Sequence, residues 1–353
     1  MTTSTSSESR MISGYAAMGK DQPLVPWQYK PRPLGPNDIE IKIDHCGVCG
    51  SDIHTIDSGW GPTQYPVIVG HEIIGRVVAK GAEVQGHAVG DLVGVGAQAF
   101  ACQKPDCKNC QRGHDAHCPH SVFTYNKPYP DGELSQGGYA DAVRVDANYA
   151  FNIPAAIDPR EAAPLMCAGT TVFTPMLHYK MKAGDRVGVV GIGGLGHLAV
   201  QFAKALGAHV TSFTSSEAKR EECFKLGATQ VVNLRDAEQS KAATQSLDYL
   251  IVTSNSPHTD WAQLISFMDV YGLIVLLAIP ETELKLKPFS FLANNVGIAG
   301  SLIGGIKEVR ATLDFAAKHN VRPWIETLPM DQCNEGIQRV RDGKVRYRVV
   351  LSN

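Results

Sequence analysis

A chain of 353 residues exceeds what one ordinary hydrophobic core serves, so two domains are expected. Its 44% hydrophobic and 19% charged residues are those of a core-forming protein, and a formal net charge of -2 gives no electrostatic reason to expect a nucleic-acid partner. The polar stretch Met1–Glu8 lacks the apolar segment of a signal peptide, and the longest aliphatic run, Leu273–Ile279, is too short to cross a bilayer. No membrane association is expected, and a cytoplasmic location is.

Through about residue 150 the chain reads as irregular and β-rich, short alternating runs such as Ile39-Glu40-Ile41-Lys42-Ile43 being broken repeatedly by Gly and Pro. From about Lys182 a strand-then-helix rhythm sets in. Strand Arg186–Val190 leads to helix Leu195–Leu206, stopped by Gly207; strand Val210–Thr214 leads to helix Glu217–Leu226, stopped by Gly227. Strands Leu247–Val252, Leu273–Ile279 and Val296–Ser301 follow. This alternation predicts a doubly wound parallel sheet. After Gly304 the pattern is mixed again, with a helix Val309–His319 and a last strand Val345–Leu351.

Nine cysteines, an odd count with no secretory signal, favour reduced thiols and metal ligation over disulfides. Four of them form Cys102-x4-Cys107-x2-Cys110-x7-Cys118 in a short polar loop. Four thiolates close a tetrahedral shell and leave no position for water or substrate, so a structural zinc is expected. A zinc-ribbon nucleic-acid module is the rival, and it lacks an accompanying aromatic or basic surface. A second set is dispersed: Cys46 or Cys49, then His71, Glu72 and Cys167. Each alone is unremarkable, but Cys49-Gly50-Ser51-Asp52-Ile53-His54 packs a thiol, a hydroxyl, a carboxylate and an imidazole into six residues. Two thiolates and one imidazole make a catalytic zinc with its fourth position open to substrate.

Val189-Val190-Gly191-Ile192-Gly193-Gly194-Leu195-Gly196 is a G-x-G-x-x-G loop that follows a strand and opens a helix. Gly191 permits the tight turn, Gly193 lets the backbone approach a pyrophosphate, and Gly196 allows close helix–strand packing. Gly194 and Leu195 stand where the helix start offers N–H groups to phosphates. An ordinary glycine-rich turn is the bland reading, and the strand–helix–strand setting argues against it. The carboxylate that would bind the ribose 2′-hydroxyl of NAD is due at the end of the second strand, where Thr214, Ser215 and Ser216 stand instead. Lys219 and Arg220 lie one turn into the next helix. A 2′-phosphate needs donors and positive charge, so NADP(H) is expected over NAD(H). The competing reading makes Lys219 and Arg220 solvated helix charges, with Glu217 serving the helix N-terminus.

These motifs together resemble the zinc-dependent medium-chain dehydrogenase/reductase family, within it the cinnamyl alcohol dehydrogenase branch, and especially the broad-specificity NADP-dependent alcohol dehydrogenases of yeasts. The resemblance rests on Cys-Gly-Val-Cys-Gly-Ser-Asp-Ile-His (46–54), Gly-His-Glu (70–72), Ser-Gln-Gly-Gly-Tyr-Ala (135–140), Cys-Ala-Gly-Thr-Thr-Val (167–172), Gly-Ser-Leu-Ile-Gly-Gly-Ile-Lys-Glu (300–308) and Val-Arg-Tyr-Arg (345–348). It implies an α/β protein: a β-rich GroES-like catalytic domain of residues 1–160, completed by 304–353, and a Rossmann nucleotide domain of residues 161–303. It selects Cys49 over Cys46 as the ligand, with His71 and Cys167, and matches Glu72 to a residue that binds zinc when substrate is absent. Ser51 and His54 match the family's proton relay, Asp52 the carboxylate that orients the ligand histidine, and Thr171 and Ser301 residues near the nicotinamide. Trp60, Phe123 and Leu302 are the implied substrate-pocket residues. Phe123 stands where plant cinnamyl enzymes often carry Trp. The family's usual first gap in the structural-zinc motif is two residues; here Gln103-Lys104-Pro105-Asp106 makes it four, a two-residue insertion.

The implied activity is reversible hydride transfer between NADP(H) and a primary alcohol or aldehyde, aromatic or aliphatic, mainly in the direction of aldehyde reduction, by a homodimer joined through an edge strand near 296–302. Two rivals stand: a polyol or sugar dehydrogenase on the same fold, and a catalytically silent zinc- and nucleotide-binding protein. The apolar pocket residues weigh against the first and the intact relay against the second.

Overall fold

The computed structural model describes residues 10–254, 256, 259–279 and 283–353. The chain divides into two compact units, one of Met1–Cys167, Gly305–Leu313 and Trp324–Asn353, the other of Ala168–Gly304 and Asp314–Pro323.

The first unit is built on a seven-stranded sheet. Its order runs Ile325–Pro329, Arg348–Ser352, Asp38–Val48, Ile73–Lys80, Leu92–Val95, Ala150–Asn152, with Ala142–Asp146 also pairing onto Asp38–Val48. The long strand Asp38–Val48 takes Ala142–Asp146 along its first half and Arg348–Ser352 along its second. The expected alternation is present: Ile39, Ile41 and Ile43 all turn into the core with Ile73, Val77, Val93 and Val95. Between them Lys42 is exposed, while Glu40 is buried and accepts from Arg144 Nε at 2.7 Å. A charge can be covered there because it is paired.

The second unit is a six-stranded parallel sheet in the order Gln230–Asn233, His209–Thr214, Arg186–Val190, Leu247–Val252, Met268–Leu276, Gly297–Gly300. In chain order this is 3-2-1-4-5-6, with its switch point between the first and fourth strands. The doubly wound sheet expected from the sequence is therefore found. Among the elements that carried too little pattern to read are the short strand Gln230–Asn233 and the helices Ala237–Ala242, Trp261–Ser266 and Pro288–Leu292. None of these helices reaches two full turns, so no 3.6-residue period develops. Side-chain caps mark two of them instead, Asp236 accepting from Glu238 and Gln239 N–H and Asp260 from Gln263 N–H. The strand expected at Leu273 begins at Met268, and the last strand runs Arg348–Ser352, not Val345–Leu351. The helix expected over Val309–His319 begins at Ile306.

No helix among the described residues is long and apolar enough to cross a membrane.

Candidate active site

Strand pairing brings the dispersed ligands together. Strand Asp38–Val48 runs through Cys49 into the helix Gly50–Ile56, and Cys46 pairs with Ile73 on the neighbouring strand. Gly47 N–H donates to Glu72 O at 3.0 Å, continuing that ladder, so His71 and Glu72 arrive opposite Cys49. Cys167 comes from elsewhere. It lies in a π-helical turn, Leu165–Gly169, between the helices Pro159–Pro164 and Thr170–His178. Glycine makes room for that turn: a Cβ on Gly94 would lie 2.6 Å from Met166 Sδ, and one on Gly96 2.7 Å from Met166 O.

One ligand atom from each of Cys49, His71, Glu72 and Cys167 lies within 4.8 Å of the others. His71 Nε2 is 3.0 Å from Cys167 Sγ, and the two sulfurs are 4.0 Å apart. That is too far for a disulfide, and all nine cysteines are free. The Cys167 hydrogen bond, helped by His71, holds the Cys49 thiol well below the usual range against the effect of burial. The same bond and burial push Cys167 up. Burial alone would lower His71, but Asp52 and Cys49 outweigh it and hold the imidazole well above its ordinary value. Protons are thus shared unevenly over two thiols and an imidazole, the positions a divalent cation takes when it displaces them. The donor set fits zinc. Cys46 is fully buried at the foot of the same strand, its sulfur 3.7 Å from Gly47 O, and is not part of the cluster.

Asp52 is completely buried and saturated with donors. Its Oδ2 accepts from Cys49 N–H at 2.9 Å and Tyr139 O–H at 3.0 Å; its Oδ1 accepts from Gly70 N–H at 3.2 Å and lies 3.0 Å from His71 Nδ1. Tyr125 Oη is also 2.9 Å from His71 Nδ1. Arg348 donates to Glu72 Oε1 from behind, both side chains being almost wholly buried. Burial pushes the Glu72 carboxyl up to about 7, with Arg348 the main opposing influence. Tyr125, Tyr139 and Arg348 were not singled out from the sequence. Tyr139 and Arg348 lie inside quoted motifs, but nothing local assigns them a partner.

Ser51 sits in the first turn of the helix, its hydroxyl 3.6 Å from Cys49 Sγ. His54, one turn on, stacks on Trp60 with ring centroids 4.3 Å apart and planes 15° apart. Trp60 is 45% exposed. Phe123 is half-buried on the strand Val122–Phe123. Leu302, Ser301 and Thr171 all belong to the second unit, Thr171 half-buried on the helix Thr170–His178 and Leu302 46% exposed.

The four-thiol loop also assembles. Sulfur separations are 3.9 Å for Cys102–Cys110, 3.8 Å for Cys107–Cys118 and 3.5 Å for Cys102–Cys118. A tetrahedron with Zn–S of about 2.3 Å has edges of about 3.8 Å. The longer gap therefore keeps Cys102 in the cluster. Its extra residues are tied down by Gln103 Nε2 donating to Tyr149 Oη at 2.8 Å. The Cys110 backbone N–H holds the Cys107 thiol down at about 7, and His120 N–H donates to Cys118 Sγ at 3.4 Å. The set fits a closed structural zinc.

In the second unit Gly191 takes a positive φ of 88°, and a Cβ on Gly196 would lie 1.9 Å from Gly191 O, which explains both glycines. A Cβ on Gly193 would meet nothing within 4 Å, leaving the open approach a pyrophosphate needs. Gly194 is half-buried beside it, and Leu195 is the residue before the helix Gly196–Ala205. At the end of the second strand Thr214 Oγ1 accepts from Ser216 N–H at 3.1 Å, and Ser215 is exposed. Lys219 Nζ donates to Ile192 O at 2.6 Å, so its ammonium lies against the glycine loop. Glu217 is turned away to Arg220 at 3.6 Å and Asn233 at 3.4 Å.

This fold and its two thiol clusters define a class, the zinc-binding dehydrogenases with a doubly wound nucleotide unit. The alcohol dehydrogenase GroES-like domain family matches residues 35–155, and the zinc-binding dehydrogenase family matches residues 194–318. The chain is 42% identical over 348 residues to aldehyde reductase YahK of Escherichia coli, covering 97% of this chain and 98% of that one. A cinnamyl alcohol dehydrogenase from Sorghum bicolor superposes with a TM-score of 0.93 at 37% identity, covering 97% and 98% of the two chains. The CAD from Helicobacter pylori solved with NADP(H) gives 0.90 at 34% identity and the same coverage. The chain belongs to the zinc-dependent medium-chain dehydrogenase/reductase family, in its cinnamyl alcohol dehydrogenase branch.

Proposed function

We propose that this chain is a zinc-dependent, NADP(H)-linked alcohol dehydrogenase that acts mainly as a reductase of aromatic or aliphatic aldehydes. The observation that carries the reading is the cluster of Cys49, His71 and Cys167, with Glu72 among them and the Ser51 hydroxyl 3.6 Å from Cys49 Sγ. When bound, zinc supplies Lewis acidity that acidifies an alcohol or polarises an aldehyde carbonyl. NADP(H) supplies or accepts the hydride. The chain's own part is positional and protonic. Ser51 takes the proton from an alcohol, or returns one to the reduced product, and His54, held flat on Trp60, passes it toward solvent. Trp60 and Phe123 offer apolar surface to substrate in the first unit, and Thr171 and Ser301 are cofactor-binding positions of the second.

The NADP(H) preference is supported by Thr214, Ser215 and Ser216 in place of a carboxylate and by Lys219 at the glycine loop. The relative solved with NADP(H) agrees with it. Steady-state kinetics with aromatic, aliphatic and polyol substrates and both cofactors test the reading. The expected result is the highest kcat/KM for an aldehyde with NADPH; a polyol with NAD+ in first place overturns it. The edge position of Gly297–Gly300 in its sheet supports a homodimer formed by strand addition, which sedimentation equilibrium tests. Nine free cysteines favour a reducing, cytoplasmic compartment.

A further inference from the structure

His71 must present Nε2 to the metal, and a ligand imidazole is fixed by what its other nitrogen meets. Here Nδ1 meets two groups, Asp52 Oδ1 at 3.0 Å and Tyr125 Oη at 2.9 Å. A neutral imidazole carries one proton, which sits on Nδ1 when Nε2 serves the metal. Asp52 is acceptor-only and the Tyr125 hydroxyl oxygen can also accept, so the two oxygens share that proton. Tyr125 keeps its own O–H, which reaches the Asp52 carboxylate in turn. Histidine, carboxylate and phenol therefore close a triangle in which each oxygen has a defined role.

The phenol is placed with care. Tyr125 is 8% exposed, and its ring is tilted 51° to the imidazole at 5.5 Å. Its backbone is pinned on both sides, by Thr124 N–H to Ala97 O at 3.0 Å and Asn126 N–H to Ser135 O at 3.1 Å. Tyr139 makes a useful contrast, because it binds the far oxygen of Asp52 and is in no bond to His71.

We propose that Tyr125 is a positioning residue for the metal-binding histidine: its buried hydroxyl is the second anchor of His71 and, with Asp52, fixes the ring so that Nε2 faces Cys49 and Cys167. The proposal rests on the zinc reading of that cluster. Its effect is on metal retention and ligand geometry, with the phenol itself taking no part in proton transfer to substrate.

The test is Tyr125→Phe in the full-length zinc protein, with Tyr139→Phe as comparison. Zinc release to a colorimetric chelator is followed in time, and the catalytic site is separately loaded with cobalt(II) for its d–d spectrum. Wild type is expected to release two zincs in two phases. Tyr125→Phe is expected to speed the catalytic phase about tenfold or more, leave the structural phase alone and shift the cobalt bands. Tyr139→Phe should move the cobalt bands less. Where Tyr125→Phe gives too little folded protein, Tyr125→Gln keeps a polar side chain that is too short to reach both His71 and Asp52, and is expected to release zinc faster than wild type. A release curve and cobalt spectrum for either Tyr125 variant that coincide with wild type overturn the proposal. A wild type that binds no metal at Cys49, His71 and Cys167 overturns the underlying zinc reading instead, and the two failures are told apart by the wild-type trace.

Discussion

Replacing Arg348 by Met should be among the most damaging single changes outside the metal ligands. The guanidinium is 6% exposed and Glu72 is fully buried, and their ion pair joins positions 276 residues apart. Glu72 Oε2 and Arg348 Nε have no hydrogen-bond partner among the described residues, so the pair is the main compensation for both charges. Two unit charges about 4 Å apart attract in general by about 4 kcal/mol at an effective dielectric near 20. Removing one member of a buried pair costs about 3–5 kcal/mol, because the other must stay unpaired in a poor solvent or, as Glu72 with its raised pKa can, take up a proton. For a domain of this size each kcal/mol lowers the midpoint by about 2–4 °C, so a fall of about 6–20 °C is expected. Differential scanning calorimetry and urea unfolding of metal-free and zinc-loaded protein measure it, alongside Glu72→Gln and the double variant. A neutral Gln no longer needs a counter-charge, so the double variant should recover a large part of the loss. An Arg348→Met cost under about 1 kcal/mol, or a double variant as unstable as the two singles summed, refutes the reasoning.

Other expectations are simpler to state. Gly196→Ala puts a Cβ 1.9 Å from Gly191 O and should weaken NADPH binding at least about tenfold by isothermal titration, with a lowered Tm. Lys219→Ala should raise KM for NADPH about tenfold and leave KM for NADH nearly unchanged, by steady-state kinetics. Cys107→Ser should reduce bound zinc from two atoms per chain to one by elemental analysis, with the remaining zinc at Cys49, His71 and Cys167. Arg160 holds the Asp158 carboxyl down at about 2, so the stabilisation from this helix cap is present at neutral pH and fades as pH falls through that value. Carboxyl NMR should find Asp158 titrating near pH 2 in the native protein and higher in Arg160→Met.

What could be read from the sequence was what is local. The glycine loop, the four clustered cysteines and the strand–helix rhythm each declare themselves within about twenty residues, and the structure assembles them as expected. Short helices such as Ala237–Ala242 escaped because two capping bonds, not a hydrophobic stripe, define them. The surroundings of the ligands escaped for a different reason. Tyr125 and Tyr139 reach His71 and Asp52 across 54 and 87 residues, and no periodicity tells a buried tyrosine that meets a carboxylate from one that fills a core. Arg348 was visible in Val345-Arg346-Tyr347-Arg348, but only the register of its strand against Asp38–Val48 shows which arginine turns inward. The π-helical turn that carries Cys167 has no sequence signature beyond the small residues that accommodate it.

The strand Arg348–Ser352 also fixes an order of events during synthesis. It lies between Ile325–Pro329 and Asp38–Val48, in the interior of the sheet, and Asn353 Nδ2 donates to Ile43 O and Ala140 O beside it. The strands of the nucleotide unit all lie between residues 186 and 300 and can pair while the ribosome is still at work. The β unit cannot. Until residue 348 emerges its sheet is open along one edge and Glu72 has no counter-charge. The four-thiol loop closes over 16 residues and can take its metal early, whereas Cys49 and Cys167 are 118 residues apart. The two zincs therefore enter at different stages of synthesis, one on a short nascent loop and the other only once Cys167 has joined Cys49 and His71.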